Sequence, residues 1–297
     1  MIEEFIDDER GPLAAAVSVV IPALNEAAHV AEQVRAVDEV MKTSGWEYEI
    51  LVVDDGSTDA TAEQAALTGA RVLRRRVNAG YGAALKLGIQ NAKHGWILIT
   101  DADGTYPTAA IPSLLAIARA NAMVVGARIG ATVEIPLARR PAKAVLRWLA
   151  SYLGEQPIPD LNSGLRLMRK DLVQRYEHLL PNGFSFTTTI TLASICNGHP
   201  VAYVPIDYHT RLGESKIRPR HAYDFTLLIL RTIVFFNPLK VFIPMGAILA
   251  TVGVVKFIYD LYRDNLSETA VLGILGALIV WAVGLLADQN ARIAMRR

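Results

Sequence analysis

The stretch Trp96-Ile97-Leu98-Ile99-Thr100-Asp101-Ala102-Asp103-Gly104 places two aspartates directly after a short apolar run. Such a run, bounded by turn-forming residues, predicts a buried β-strand of a parallel sheet. Two carboxylates two residues apart at the end of a strand can converge on one hard divalent cation, which prefers oxygen ligands. A solvated acidic turn is the alternative interpretation, since Asp and Gly are common turn formers.

Short apolar runs of the same kind recur from Val17 to about Tyr208, and helical patterns separate them. This alternation predicts an α/β fold in which a mainly parallel sheet carries helices on both faces. Ligands of such sheets collect at the carboxyl ends of the strands. The predicted strands span 17–21, 49–53, 71–73, 96–100 and 123–126, and the predicted helices span 28–42, 61–67, 82–92 and 108–120.

Three further segments place polar or flexible residues at the ends of predicted strands. Asp54 ends one strand within Val52-Val53-Asp54-Asp55-Gly56-Ser57-Thr58-Asp59, and its carboxylate could accept hydrogen bonds from a base or a ribose. Glu26 follows the first strand and could hold ribose hydroxyls, whereas helix capping is the alternative role for Asn25. Gly80 lies in the turn Asn78-Ala79-Gly80-Tyr81-Gly82, which would let the backbone approach a ligand.

The order and spacing of these motifs, from Val17 to about Pro219, resemble family 2 glycosyltransferases with the GT-A fold. Within that family the likeness is greatest to the polyprenyl phosphate sugar transferases. The resemblance implies that Pro22 and Glu26 line a nucleoside pocket beside Asn25, and that Asp54 contacts the base. A nucleotide sugar is therefore the expected donor.

By the same resemblance, Asp101 and Asp103 are expected to hold Mg²⁺ or Mn²⁺, and Asp103 is a predicted catalytic residue. The related pattern frequently reads Asp-x-Asp-x-Gln, and Thr105 occupies the last place here. Thr105 is thus a predicted third ligand. Its hydroxyl is shorter and weaker than an amide oxygen, so we expect water to complete the metal shell.

Groups further along the chain are predicted to contact phosphates. Arg128 follows the fifth predicted strand and resembles the family position at which arginine meets the acceptor phosphate. Ser163, within Asn162-Ser163-Gly164-Leu165-Arg166, could touch sugar or phosphate. The segment 211–216 resembles the mobile loop that closes over the diphosphate, with a plain linker as the alternative. Its predicted hydrogen-bond donors are Arg211, Ser215 and Lys216.

Charge and cysteine content exclude several classes of protein. The 30 basic and 29 acidic side chains give a net charge of +1, so no overall field would gather nucleic acid. The single cysteine, Cys196, allows no intramolecular disulfide and no thiolate metal cage, which fits a reducing compartment. The first ten residues are acidic and lack an apolar core, so we expect no secretory signal and a cytoplasmic first domain.

Two long apolar segments, at about 241–259 and 270–287, each approach the ~20 residues that cross a bilayer. They predict a transmembrane hairpin, and a pair of buried helices in a soluble core is the alternative. Basic residues flank the outer ends of this pair, namely Lys240, Arg292, Arg296 and Arg297. The positive-inside rule therefore predicts that both termini lie in the cytoplasm of a multi-pass protein of the cell membrane.

Two more segments are predicted to lie along the membrane surface. The apolar stretch 225–236 predicts an interfacial helix. Basic groups at 139–147 surround an apolar helical stripe and could present cations to lipid phosphate, although a solvated basic face is the alternative.

These features divide the chain into five predicted parts. They are an extension at 1–16, a glycosyltransferase domain at 17–219, an interfacial helix at 220–238, a transmembrane hairpin at 239–290 and a basic tail at 291–297. Small residues of the hairpin would allow close packing against neighbouring helices, and so a homo-oligomer; they are Gly273, Gly276 and Ala277.

The resemblance implies inverting transfer of a sugar from a UDP- or GDP-linked donor to a polyprenyl phosphate. Arg211 and the cation would stabilise the leaving diphosphate. A phosphate monoester has a second pKa near ~6 and is largely dianionic at pH 7, so no side chain needs to act as a base.

Two other functions compete with lipid glycosylation. A processive polysaccharide synthase shares the fold, but such synthases usually carry Gln-x-x-Arg-Trp, and Ala144 stands at the glutamine's place before Arg147 and Trp148. A non-catalytic scaffold that binds a nucleotide sugar is the second alternative. Retention of both Asp101 and Asp103 argues against it.

Overall fold

The computed structural model describes residues 15–129, 151, 157–208, 235, 237–263 and 267–295. The chain divides into two compact units, Met1–Lys143 with Ile158–Arg218, and Ala144–Pro157 with Pro219–Arg297. The predicted phosphate-contacting residues Arg211, Ser215 and Lys216 lie outside the described residues, as do the basic segment 139–147 and almost all of the predicted interfacial helix.

A seven-stranded sheet forms the centre of the first unit. Its strands are β1 (Ala16–Ala23), β2 (Glu47–Asp54), β3 (Arg71–Arg74), β4 (Trp96–Ile99), β5 (Met123–Arg128), β6 (Arg166–Arg169) and β7 (Val201–Ile206). Their order is β3-β2-β1-β4-β6-β5-β7. All neighbouring strands are parallel except β6, which runs antiparallel to both β4 and β5.

Six α-helices of this unit connect the described strands. They are α1 (Val30–Thr43), α2 (Thr61–Ala66), α3 (Tyr81–Asn91), α4 (Ile111–Ala116), α5 (Lys170–Tyr176) and α6 (Phe186–Cys196). The buried residues of α1 recur at helical spacing and pack in one core with alternate β1 residues, including Val17 and Val19. On the opposite face of β1, a Cβ added at Gly88 of α3 would lie 2.4 Å from Val20. The predicted mainly parallel sheet with helices on both faces is therefore confirmed.

The strand β7 and the helices α5 and α6 were not among the predicted elements, and two further features differ from the sequence prediction. The antiparallel strand β6 was not predicted, because its two apolar residues, Leu167 and Met168, are not β-branched and the strand runs directly into α5. The helix predicted at 108–120 is broken into α4 and two flanking 3₁₀ turns, Thr108–Ala110 and Ala118–Ala120. Ile117 leaves the helical region, with φ −105° and ψ 8°, and ends α4 there.

The second unit contains two long helices, α7 (Leu239–Tyr262) and α8 (Glu268–Met295). Both are long and apolar enough to cross a membrane, with mean hydropathies of 2.1 and 2.5. In the most apolar 18-residue stretch of each helix, only 11% (α7) and 17% (α8) of the residues are buried. For the described residues, the alternative of buried helices in a soluble core is therefore wrong. The predicted apolar hairpin is confirmed.

Close packing within the hairpin depends on glycine. A Cβ added at Gly253 of α7 would lie 2.8 Å from the backbone nitrogen of Ile274, and one added at Gly273 would lie 2.9 Å from Gly253 Cα. Gly273 thus brings α7 and α8 together. A Cβ at Gly276 would meet none of the described residues within 4 Å.

Candidate functional site

The predicted acidic clusters end neighbouring strands at one edge of the sheet. Asp54 is the last residue of β2 and is paired with Ala23 at the end of β1. Asp101 follows β4, which pairs with the other side of β1 through Val20 and Ile99. Because parallel strands end together, both clusters lie at the carboxyl edge, where ligands of such sheets bind.

Asp101 is half-buried and is held by Tyr81. The Tyr81 hydroxyl donates a hydrogen bond of 3.0 Å to Asp101 Oδ1. Burial, and secondly the neighbouring Asp101 charge, raise the pKa of Tyr81 well above its usual value, so the phenol remains a donor. Gly164 packs against the same carboxylate, since a Cβ there would lie 2.8 Å from Asp101 Oδ2.

Asp103 is oriented by Thr105, two residues further on. The Thr105 hydroxyl donates to Asp103 Oδ1 at 2.6 Å, and the Thr105 backbone nitrogen donates to the same oxygen at 3.2 Å. Thr105 is only 2% exposed. The hydroxyl of Thr105, the predicted third ligand, is therefore hydrogen-bonded to Asp103, a predicted metal ligand.

The donor set at this edge suits a hard divalent cation. Asp101 and Asp103 offer carboxylate oxygens, the ligands that Mg²⁺ and Mn²⁺ prefer. Among the described residues, no group of three or more His, Cys, Asp or Glu side chains could hold a metal ion. A cation on two carboxylates keeps open positions for phosphate oxygens, so the residues present fit the expected metal.

The loop after β1 is tied to the loop after β2. Asn25 has a φ of 54°, its backbone nitrogen donates to Ser57 Oγ at 2.9 Å, and its side-chain oxygen accepts from Thr58 N at 2.9 Å. Helix capping by Asn25 is therefore wrong, because α1 begins later and its N-cap is His29. The backbone nitrogen of Glu26 donates to Thr61 Oγ1 at 2.9 Å.

Pro22 and Glu26 differ in their exposure. Pro22 lies inside the fully buried strand β1 and is paired with Val53. Glu26 is half-buried, and its carbonyl accepts the backbone N–H groups of His29 and Val30 at 3.0 and 2.9 Å. Of these two predicted nucleoside contacts, Glu26 is the one whose side chain is accessible.

Asp54 is fully buried. Its Oδ1 accepts the Ser57 backbone N–H at 2.9 Å. Arg74 Nε lies 3.2 Å from Oδ2 but is not aligned for a hydrogen bond, so that oxygen has no hydrogen-bond partner within the described residues. A buried oxygen without a hydrogen-bond partner could accept an N–H of a bound ligand.

Asp55 was not among the predicted site residues. Its carboxylate accepts the backbone N–H groups of Ala79, at 3.2 Å, and of Gly80, at 2.7 Å. Arg75 Nε lies 3.4 Å from the same carboxylate. The Asp54-Asp55 doublet is the sequence signal that could have identified Asp55 as a site residue. Asp55 fixes the turn that leads into α3.

Gly80 has no room for a side chain. Its φ is 104°, and a Cβ there would lie 2.5 Å from the carbonyl oxygen of Asn182. The predicted flexible turn is instead clamped between Asp55 and the segment 181–183.

Arg128 ends β5 and forms a bidentate ion pair. Its Nε and Nη2 donate to the two Asp160 oxygens at 2.7 and 2.9 Å, and Nη2 also donates to Asn162 Oδ1 at 2.8 Å. The guanidinium lies 5.3 Å from the centre of the Tyr208 ring. Burial would lower the pKa of Arg128, but the Asp160 hydrogen bonds, together with the electrostatic interactions with Tyr106, Asp160 and Tyr208, outweigh it and raise the pKa. Arg128 stays charged and rigidly oriented.

Arg166 is a fully buried arginine that the sequence analysis did not assign. Its Nε and Nη2 donate to the Ser163 carbonyl at 3.0 and 2.6 Å, and Nη1 donates to Thr187 O and Thr191 Oγ1 at 2.9 and 2.8 Å. Burial lowers its pKa. Arg166 therefore fixes the backbone beside Gly164, while the Ser163 hydroxyl is buried without a hydrogen-bond partner in the described part of the chain.

Comparison with known families gives two matches. Residues 18–177 match the model of glycosyl transferase family 2, and residues 237–293 match that of the GtrB C-terminal hairpin.

Two relatives of known activity are similar to this chain. A dolichyl-phosphate hexose transferase of Haloferax volcanii is 33% identical over 171 residues, which cover 57% of this chain and 74% of the relative. An undecaprenyl-phosphate 4-deoxy-4-formamido-L-arabinose transferase of Klebsiella pneumoniae is 28% identical over 249 residues, which cover 80% of this chain and 73% of the relative.

A similar solved structure is glucosyl-3-phosphoglycerate synthase from Mycobacterium tuberculosis in complex with Mn²⁺, UDP-glucose and phosphoglyceric acid. Its TM-score is 0.60 at 21% identity, over 75% of this chain and 80% of the other. This likeness establishes a shared fold.

Proposed function

The chain belongs to glycosyl transferase family 2, and from that premise we propose that it moves one sugar from a nucleoside diphosphate sugar to polyprenyl phosphate. The observation that carries the proposal is the pair Asp101 and Asp103 at the carboxyl end of β4. Tyr81 orients the first carboxylate and Thr105 orients the second.

On the donor side, Asp101 and Asp103 would hold Mg²⁺ or Mn²⁺, with Thr105 as the proposed third ligand and water completing the shell. When bound, the cation would stabilise charge on the leaving diphosphate. Glu26 would bind ribose hydroxyls, and Asp54 Oδ2, which has no hydrogen-bond partner among the described residues, would accept an N–H of the base.

Six further residues complete the proposed donor contacts. Asn25 and Gly80 would shape the loops around the nucleoside. Arg211, Ser215 and Lys216, predicted from the sequence, would close over the diphosphate. Ser163, with its unpaired hydroxyl, would bond to sugar or phosphate.

On the acceptor side, the names of the relatives support a lipid phosphate, since they specify dolichyl phosphate and undecaprenyl phosphate. Arg128 would face this phosphate, and its ion pair with Asp160 would keep the guanidinium in one orientation. A lipid phosphate oxygen would form the new bond to the anomeric carbon as the bond to the diphosphate breaks. The attack from the opposite face inverts the anomeric centre.

No side chain has to remove a proton in this reaction, because the attacking phosphate is already anionic. The chain would contribute positioning and electrostatic stabilisation. We place the reaction at the cytoplasmic face of the cell membrane, anchored by the hairpin of α7 and α8. The flanking basic residues, such as Lys240 and Arg292, support this orientation.

The test uses the purified full-length chain in detergent with Mg²⁺ or Mn²⁺, polyprenyl phosphate and a panel of labelled UDP- and GDP-sugars. We expect label in the organic extract as one sugar per lipid, and none after chelation of the metal. Asp103→Asn should remove transfer, whereas the control variant Asp38→Asn, at a half-buried carboxylate of α1, should retain it.

Other outcomes identify the alternatives. A water-soluble polymer would identify a polysaccharide synthase. Donor binding without turnover on any carrier, in wild-type protein that is correctly folded, would identify a scaffold and overturn the proposal.

A further inference from the structure

Tyr81 connects two parts of the site that lie at different strand ends. It is the first residue of α3, and its hydroxyl reaches Asp101 Oδ1 at the end of β4. The residue before it, Gly80, donates its backbone N–H to Asp55 at the end of β2. The Tyr81 phenol is therefore positioned by a residue that follows β2, and it contacts a carboxylate that follows β4.

The Tyr81 ring is held from its other side by Phe184. The two rings stack with centroids 5.6 Å apart and an interplanar angle of 19°. Phe184 is 64% exposed, so burial of its own surface does not account for its placement. Stacked aromatic pairs of this geometry gain energy beyond the area they bury.

The segment that carries Phe184 is docked on α3. Asn182 O accepts the Ala83 backbone N–H at 3.1 Å, and Asn182 Oδ1 accepts Lys86 Nζ at 3.0 Å. A Cβ on Gly82 would lie 2.2 Å from Pro181 O, so this close approach requires glycine. These contacts therefore hold the segment that carries Phe184 against α3.

We propose that Tyr81 is a positioning residue for the metal site, fixing the orientation of Asp101, and that Phe184 holds the Tyr81 ring in place for this purpose. The proposal rests on the proposed function, since it takes Asp101 as a metal ligand. Residues that hydrogen-bond to metal ligands commonly change metal affinity by about 10- to 100-fold when they are removed.

The test measures Mn²⁺ binding directly, by the electron paramagnetic resonance signal of free Mn²⁺, with UDP and in parallel with GDP. Tyr81→Phe keeps the ring stack and removes only the hydroxyl. We expect about a tenfold or greater loss of Mn²⁺ affinity at unchanged thermal stability. Raised Mn²⁺ should restore the transfer rate of this variant, while the KM for the lipid stays at the wild-type value.

Tyr203→Phe is the matched control, because the Tyr203 hydroxyl is buried without a hydrogen-bond partner in the described residues. It should bind Mn²⁺ like the wild type. Phe184→Ala keeps the Tyr81 hydroxyl but frees the ring, so a smaller loss in the same direction is expected. Wild-type affinity in Phe184→Ala would overturn the role of Phe184.

The results separate this inference from the proposed function. If wild-type protein binds Mn²⁺ and Tyr81→Phe binds it equally well, Tyr81 does not position the site, and the proposed function stands. If wild-type protein binds no Mn²⁺ with either nucleotide, the metal assignment fails and this inference fails with it.

Discussion

Gly164→Ala adds one methyl group directly against the proposed metal carboxylate. The new Cβ would lie 2.8 Å from Asp101 Oδ2, 3.0 Å from Asp101 Oδ1 and 2.9 Å from Tyr106 Cε2. The backbone has little freedom to retreat, because the Gly164 N–H donates to Tyr106 Oη at 2.6 Å and Gly126 N donates to the Leu165 carbonyl at 2.9 Å. The carboxylate is therefore expected to move.

The size of this movement follows from the contact distances. Asp101 Oδ2 must retreat by about 0.6 Å to reach the 3.4 Å at which ordinary contact begins. Metal–ligand distances tolerate only about 0.2 Å. A misplacement of about 1 Å in an active site can cost about 100-fold in rate, so we expect a loss of roughly 10- to 100-fold.

The assay measures transfer to lipid and Mn²⁺ affinity on the same preparations, together with the unfolding temperature. Overpacking of this kind costs about 1–3 kcal/mol, so the variant should remain folded. Gly183→Ala is the matched control, because a Cβ there comes within 4 Å of no residue in the described part of the chain and its φ is not positive. Wild-type transfer and wild-type Mn²⁺ affinity in folded Gly164→Ala would refute the reasoning.

Three further predictions address other parts of the first unit. Asp55→Asn should destabilise the protein by about 1–3 kcal/mol in denaturant unfolding, because the amide loses the charge that strengthens these hydrogen bonds and pairs with Arg75, and replaces one acceptor oxygen by an NH₂ donor; unchanged stability would contradict this. Burial and a 2.7 Å hydrogen bond to Asp38 raise the pKa of Tyr48 from 10.0 to about 12. The neutral phenol thus stabilises the fold below pH 10, and this contribution is lost as the pH rises towards 12. The difference in unfolding free energy between wild type and Tyr48→Phe should shrink across that window, and a constant difference would count against it. Arg128→Lys keeps the charge but loses the bidentate contact with Asp160, so the KM for lipid phosphate should rise by about tenfold or more; an unchanged KM would exclude the proposed acceptor contact.

The sequence predicted those parts of the fold and site that depend on local pattern. The first five strands were found because each contains β-branched residues between turn or helical patterns, and the hairpin was found because both segments have membrane-spanning length. Asp101 and Asp103 were predicted as metal ligands because both carboxylates follow one strand, and the structure places that strand end at the carboxyl edge of the sheet. The partner of Asp101 was missed, since Tyr81 is 20 positions away in the chain.

The burial of Arg166 also depends on partners that are distant in the sequence. An arginine at the start of a short segment predicts exposure, because arginine is seldom fully buried. Here its donors reach Ser163 nearby and Thr187 and Thr191, which are 21 and 25 positions later. Only the folded arrangement of β6 against α6 provides those acceptors, so no local pattern could have predicted its burial.

The turn held by Asp55 has a practical consequence for anyone who wishes to alter donor preference. Substitutions in the loop after β2 would shift Gly80, and with it the phenol of Tyr81 that rests on Asp101. With the proposed nucleotide and metal contacts, engineering this loop for a different nucleotide would therefore alter the cation requirement at the same time. Libraries that vary 55–58 should be screened at several Mn²⁺ concentrations, because a variant with the desired selectivity could otherwise be discarded as inactive.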